Sequence, residues 1–342
     1  MKGMIMAAGL GSRLMPLTEN IPKPMVPVLN KPVMQYCIEL LKEHGVQEII
    51  ANTHYRPEAI SNYFGDGSNL GVRLEYSYEE ELLGTAGGVK NNRWFLDETF
   101  IIVSGDALTD INLTEMARFH KENNALVTLA LKSVEDVSKY GVVVTDEAGK
   151  IQAFQEKPKA SEAVSNLVNT GIYIFEPEIF DYIPDGFYDF GKELFPKLVE
   201  MNAKIYGFNT TDYWSDVGSL EVYKDSNWDF LANDKNLIGK NTVVQDSAKQ
   251  EGNVVIGSGC YIGNNVRLKN CIIWDDCIIA DNVVIENAII GSKCLIGEGS
   301  TINSQVVVGC GCKIGSNVTL GPGLKIESNS RIDSGEDILE VG

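Results

Sequence analysis

Positive charge is scarce in this chain. Its 342 residues carry 29 Lys and Arg against 47 Asp and Glu, a formal charge of −18. A molecule this acidic repels phosphate backbones and anionic lipid headgroups at long range, so nucleic acid is not expected among its partners. Histidine is scarcer still: His44, His54 and His120 are the only three, and each is read as structural. Imidazole chemistry is therefore not expected anywhere beyond residue 120. No run of 18 apolar residues occurs, so no membrane span is expected. The opening MKGMIMAAGLGSRL is not expected to be a secretory leader, because glycines interrupt its apolar stretch and Arg13 follows closely. The seven cysteines include no CxxC pair. In a chain read as cytoplasmic they default to thiols. What the charge leaves open is a small phosphorylated ligand, since a local site can be cationic and Mg²⁺ can supply further charge.

Apolar residues make up 44% and charged residues 22%, enough to bury a core in each of about two domains of roughly 150 residues. The first 230 residues alternate short apolar runs with amphipathic ones. Residues 3–8, 48–52, 72–76, 100–106 and 125–131 read as strands. Residues 32–44 read as a helix with Pro32 at its start and Gly45 past its end, and Asn112 with Glu115 reads as an N-terminal cap. Strand, helix and strand at this spacing predict an α/β domain with a mostly parallel sheet.

The texture changes near residue 240. Apolar residues recur about every six positions, often before glycine: Ile256-Gly257, Ile262-Gly263, Ile290-Gly291, Ile296-Gly297, Val308-Gly309, Ile314-Gly315 and Leu320-Gly321. A longer period lies on top. Asn253, Asn270, Asn287 and Ser304 are 17 apart, and Ile256, Ile273, Ile290 and Val308 are spaced 17, 17 and 18. That is one triangular coil per 17 to 18 residues, the hexapeptide pattern of a parallel β-helix. Such coils resemble the left-handed β-helix. Cys260, Cys277, Cys294 and Cys312 fall in one column and are read as small inward fillers rather than a metal ladder. The expected domains are 1–235 and 236–342.

Chemistry concentrates in a few places. Residues 7–18, AAGLGSRLMPLT, follow a strand and are too glycine-rich to continue it. Gly9 and Gly11 let the backbone turn and face its N–H groups to an anion, and Arg13 adds a forked cation. A tight turn with a surface Arg explains the same residues equally well. Next, Lys23 stands between Pro22 and Pro24, which hold the chain extended and deliver the charge at low entropic cost.

Together, Gly9 to Thr18 and Pro22 to Pro32 (PKPMVPVLNKP) resemble the signature of sugar-1-phosphate nucleotidylyltransferases. The resemblance implies a Rossmann-like nucleotidyltransferase domain followed by a left-handed parallel β-helix of hexapeptide repeats, an α/β protein overall. It implies joining of an NTP to a hexose 1-phosphate with release of pyrophosphate. Ser12 stands where threonine is commoner and keeps the hydroxyl. The motif 79–87, EEELLGTAG, resembles the base-reading loop, so Ala8, Gly9, Gly11, Ser12, Arg13, Lys23, Glu79, Gly84 and Thr85 are expected to bind nucleotide. Ser104-Gly105-Asp106 ends a strand where open α/β sheets bind ligands, and Trp214 to Gly218 supplies a second carboxylate. Asp106 and Asp216 match the family's Mg²⁺ ligands. Glu156-Lys157-Pro158, Tyr140-Gly141 and Asn169-Thr170-Gly171 match its sugar-phosphate segments, so Gly141, Glu156, Lys157 and Asn169 are expected to hold the second substrate. Arg13, Lys23 and Asp106 are the expected catalytic residues.

Rival readings leave marks of their own. An acyltransferase built on a hexapeptide β-helix needs a histidine there, and none exists beyond residue 120. A dinucleotide enzyme needs a full GxGxxG, and Pro16 comes too early for the helix that motif opens. A non-catalytic, nucleotide-sugar-sensing subunit stays open, as does the choice between GTP with mannose 1-phosphate and UTP or dTTP with glucose 1-phosphate. The exposed coil edges of a β-helix favour a homo-oligomer.

Overall fold

A computed structural model describes residues 1–231 and 236–339. The expected domain boundary at 235/236 falls at residues outside the described ones. By its internal contacts the chain divides into a unit of 1–10 with 33–216 and a unit of 11–32 with 217–342.

The strands of the first unit are β1 (Lys2–Met6), β2 (Glu48–Thr53), β3 (Arg73–Tyr78), β4 (Phe100–Ser104), β5 (Ala107–Thr109), β6 (Val127–Ser133), β7 (Gly141–Thr145), β8 (Ile151–Glu156), β9 (Leu167–Phe175), β10 (Ile205–Thr210) and β11 (Trp214–Asp216). Its helices include α1 (Val33–Glu43), α2 (Pro57–Phe64), α3 (Gly84–Asn91), α4 (Leu113–Glu122) and α5 (Phe195–Glu200). Nine strands form one sheet in the order β8-β7-β9-β4-β1-β2-β3, with β6 paired to β9 and β10 to β6. Neighbours β4, β1, β2 and β3 are parallel. Strand β9 runs antiparallel to β4, β6 and β7, and β7 is antiparallel to β8. The sheet is thus mixed rather than mostly parallel. Strands β7, β8 and β9 follow one another without crossover helices, so they return antiparallel.

The central strands are buried on both faces, which is why β1 and β4 read as unbroken apolar runs. Helix α1 turns Met34, Cys37, Ile38 and Leu41 inward. Helix α4 starts where expected, with Asn112 Oδ1 accepting the Glu115 N–H at 3.0 Å.

In the second unit the coils stack in parallel, aligning Ile256, Ile273, Ile290, Val308 and Ile326 along one ladder and Ile262, Ile279, Ile296, Ile314 and Ile332 along another. These aliphatic columns fill the interior. Asparagines turn the coil corners: Asn265, Asn282, Asn317 and Asn329 all have φ between 55° and 64°, a region asparagine tolerates better than other side-chain-bearing residues. The Cys260, Cys277, Cys294 and Cys312 column is buried, and each sulfur lies 3.1 Å from a carbonyl oxygen of the next coil. All seven cysteines are free thiols. Helix α6 (Leu220–Leu231) also belongs to this unit.

Candidate active site

In the first unit the expected residues gather where the parallel strands end. Strand β4 stops at Ser104. Gly105 then donates its N–H to the Met6 carbonyl at 2.9 Å, and a Cβ there would lie 2.8 Å from that oxygen, so only glycine turns the chain so closely. Asp106 follows, hydrogen-bonded to the Ser104 hydroxyl. Strand β5 then pairs antiparallel with β11, setting Asp216 opposite Ala107. Asp216 thereby stands opposite the residue that follows Asp106, although the two aspartates come from distant parts of the sequence. Beneath them Cys37 points its sulfur at the Ala107 carbonyl, and burial pushes its thiol well above the ordinary value.

The segments expected to hold the second substrate are tied to the same ladder. Trp214 of β11 donates its indole N–H to the Thr170 carbonyl at 2.9 Å and packs edge-on against Tyr140, with ring centroids 5.2 Å apart. The Tyr140 carbonyl accepts the Lys157 N–H at 3.1 Å. Gly141 pairs with Glu156 across β7 and β8. Lys157 is held at φ 46°, which is uncommon for a residue with a side chain, and its exposed ammonium lies 3.4 Å from Glu156 Oε1. Asn169 sits at an irregularity of β9. Its amide donates to the Tyr173 hydroxyl at 2.9 Å and its Oδ1 accepts the Gly171 N–H at 3.0 Å. Burial raises the Tyr173 phenol, which stays protonated.

The loop after β3 is organised by a buried carboxylate. Glu79, only 3% exposed, accepts from the Asn52 amide at 2.7 Å and from the Leu83 N–H at 3.1 Å. Asn52 in turn accepts the Ala7 N–H at 2.9 Å, just before Ala8 and Gly9. The structure therefore places Glu79 beneath the loop, where it links the end of β1 to residue 83. Gly84, at φ 72°, opens α3 so close to the Tyr188 carbonyl that a Cβ would lie 2.6 Å from it. Thr85 donates to Asp189 Oδ2 at 3.1 Å and accepts the Phe190 N–H at 2.7 Å.

Sequence reasoning missed this last connection. Asp189 caps the turn at Phe190–Leu194 by accepting the Gly191 N–H at 3.0 Å. A Cβ on Gly191 would lie 2.3 Å from Glu156 Oε2. Thr85, Asp189, Gly191 and Glu156 thus form a continuous chain from the loop at 79–87 to the Glu156 carboxylate. The only local signal was an aspartate followed by a glycine.

Gly11, Ser12, Arg13 and Lys23 belong to the other unit. Gly11, at φ 66°, precedes the single turn Ser12–Leu14, and its carbonyl accepts the Thr18 hydroxyl at 2.8 Å. A Cβ on Gly11 would lie 2.9 Å from Lys23 Cβ, so glycine is what lets the two stretches of the segment close. Ser12 and Arg13 are exposed and Lys23 is half-buried.

For a metal, the donors on offer in the first unit are the hard oxygens of Asp106 and Asp216. No group of three or more His, Cys, Asp or Glu able to hold an ion occurs among the described residues. Mg²⁺ suits such a set, since it binds through one or two carboxylates and leaves its other positions to water and substrate phosphates.

The nucleotidyl transferase family model matches residues 2–233, and the EIF2B subunit epsilon LbH domain model matches residues 222–335. The first match spans more than half of the chain, and the chain belongs to the nucleotidyl transferase family. Among its relatives, the UTP–glucose-1-phosphate uridylyltransferase of Synechocystis sp. is 48% identical over 238 residues, covering 65% of this chain and 61% of that protein. The chain thus spans about three fifths of that relative's length. Mannose-1-phosphate guanylyltransferase of Mycobacterium tuberculosis is 33% identical over 283 residues, covering 79% and 78%. The crystal structure of HddC from Yersinia pseudotuberculosis superposes with a TM-score of 0.58 at 27% identity, covering 67% of this chain and 99% of that one.

Proposed function

We propose that the protein is a sugar-1-phosphate nucleotidylyltransferase. The observation that supports this reading best is the β5–β11 ladder, in which Asp216 pairs with Ala107, the residue after Asp106, while Trp214 contacts Thr170 and Tyr140 beside Asn169, Glu156 and Lys157. A phosphate oxygen of the hexose 1-phosphate attacks the α-phosphorus of the triphosphate. The new P–O bond forms as the bond to the β-phosphate bridge breaks, and pyrophosphate leaves. The nucleophile is already ionised at neutral pH, so no general base is required, and catalysis is positioning plus charge stabilisation.

Repulsion between anions is the obstacle. Arg13 and Lys23 supply positive charge toward the triphosphate, and Lys157 toward the sugar phosphate. Glu156 and Asn169 orient sugar hydroxyls, and Gly141 offers them backbone. Asp106 and Asp216 would hold Mg²⁺, which when bound neutralises phosphate charge. Ala8, Gly9, Gly11 and Ser12 offer backbone and hydroxyl donors to the phosphates, and Gly84 and Thr85 line the base loop that Glu79 supports.

The favoured substrate pair is GTP with mannose 1-phosphate, because most of the relatives covering about four fifths of the chain carry that name. The Synechocystis relative keeps UTP with glucose 1-phosphate as the second reading. Residues 1–235 are taken as the catalytic domain and 236–342 as the β-helix domain. We also place the protein in the cytoplasm, where a reducing environment suits seven buried free thiols. A homo-oligomer is supported by one outer column of the β-helix, in which Val243, Tyr261, Ile278 and Leu295 stack in register and are each at least 38% exposed.

The test is pyrophosphate release with Mg²⁺ across GTP, UTP, dTTP, ATP and CTP, each with mannose, glucose and N-acetylglucosamine 1-phosphates. One dominant pair is expected. Nucleotide binding without turnover on any pair would instead favour a nucleotide-sugar-sensing subunit.

A further inference from the structure

The segment 11–32, which carries Arg13 and Lys23, clusters with the β-helix. Its polar groups show how. One corner of the β-helix follows the ladder Ile256, Ile273, Ile290, Val308 and Ile326. At this corner a backbone N–H is taken by a side chain one coil further on: Ser258 N–H by Asp275 Oδ1 at 2.6 Å, and Cys310 N–H by the Ser328 hydroxyl at 3.0 Å. At Ser328 itself the N–H is taken by Glu19 Oε2, again at 2.6 Å. Glu19 occupies the next rung of the ladder, although it comes from the other end of the chain. The Ser328 hydroxyl also donates to the Pro16 carbonyl at 3.4 Å.

The segment is held again near the first coils. Trp274 donates its indole N–H to the Tyr223 hydroxyl at 2.8 Å, and Tyr223 donates to the Pro27 carbonyl at 2.8 Å. The Leu29 N–H reaches Asn227 Oδ1 at 3.0 Å, and the Asn30 amide donates to the Ile256 carbonyl at 2.7 Å. Residues 16–30 therefore run along four coil steps, roughly 19 Å at ~4.8 Å per step. Between these holds, the Thr18 hydroxyl closes the turn bearing Arg13 onto Gly11, and Gly11 packs against Lys23.

We infer that the β-helix sets the working geometry of the nucleotide-binding segment, with Glu19 and Trp274 as its positioning residues. This rests on the reading of that segment as the triphosphate site. Neither residue needs to touch substrate. Each acts by holding the stretch from which Arg13 and Lys23 extend, so their loss is felt by the nucleotide and not by the sugar phosphate.

The experiment compares Glu19→Ala, Glu19→Gln and Trp274→Phe in the full chain. Glu19→Ala is expected to raise the KM for the nucleoside triphosphate at least about fivefold and to leave the sugar 1-phosphate KM within about twofold. Glu19→Gln should recover most of the loss, because its amide oxygen still accepts the Ser328 N–H. Trp274→Phe, which keeps a ring and removes the donor, should shift the nucleotide KM in the same direction. Amide exchange over residues 11–32 should quicken in Glu19→Ala with no ligand present. Unchanged nucleotide KM and unchanged exchange would overturn the inference, as would equal rises in both KM values with no rescue by Gln. If the wild-type chain neither turns over any substrate pair nor binds a nucleoside triphosphate, the nucleotide reading fails, and the exchange measurement alone still decides whether Glu19 holds the segment.

Discussion

Asp106 and Gly191 show two ways a single residue can matter to this site. Asp106 offers a carboxylate directly before Ala107, the residue that pairs with Asp216. Asp106→Asn keeps the shape and the hydrogen bond to Ser104, so the thermal midpoint should stay within about 2 °C. Mg²⁺-dependent turnover should fall by at least about 10²-fold. Full activity in that variant would remove Asp106 from the metal site. Gly191 matters for what it lacks. A methyl group there would meet the Glu156 carboxylate at 2.3 Å. The far end of a side chain can move aside, so Gly191→Ala should fold, with Glu156 displaced. The sugar 1-phosphate KM should rise by about 5- to 10-fold while that of the nucleotide holds. Steady-state kinetics with each substrate varied in turn checks this, and an unchanged sugar KM would count against Glu156 as an orienting group.

Elements are held by repetition in one unit and by pairing in the other. Each β-helix coil copies the last, so a side chain at a corner serves its neighbours above and below. Asn270, at φ 46°, accepts the Asn253 N–H at 3.0 Å and donates to Asn287 Oδ1 at 3.3 Å. Asn270→Ala strands the Asn253 donor and places a less tolerant residue in a left-handed corner. We expect a cost of about 1–3 kcal/mol in urea unfolding. The coil periodicity was legible in the sequence because each coil depends only on its neighbours. The Gly9–Thr18 turn and the Asn112 cap were legible for a similar reason, since their causes lie within a few residues. The antiparallel insertion of β9 was not, because strand direction depends on which edge of the sheet a strand meets. Nor was the Thr85–Asp189–Gly191–Glu156 chain, whose members come from three separate stretches of sequence.

At the scale of the whole molecule, the charge of −18 and the few histidines leave one buried imidazole to shape stability against pH. His120 is 3% exposed, paired with the Thr128 hydroxyl at 2.8 Å and with Glu176 Oε1 at 3.2 Å. Burial lowers its pKa below the ordinary value, against an opposing pull from Glu176. Below about pH 6.5 the unfolded chain takes up a proton that the folded chain refuses. The contribution to stability is therefore full above that pH and is lost as pH falls from there through the folded-state value. His120→Gln should flatten the fall in urea midpoint between pH 7 and pH 5, and an unchanged slope would show that other groups carry it.

By itself the sequence determined the two textures of the chain, the coil period, the strand ends that bear Asp106 and Glu156, and the glycine-rich turn before Arg13. These follow from local periodicity and from residue types whose backbone preferences act over a few positions. The tertiary structure alone decided that segment 11–32 clusters with the β-helix, that Glu79 lies buried under its loop, and that Asp216 stands beside Ala107. Each of those is a meeting of residues far apart in sequence, settled by which buried donors and acceptors find partners once the chain has closed on itself.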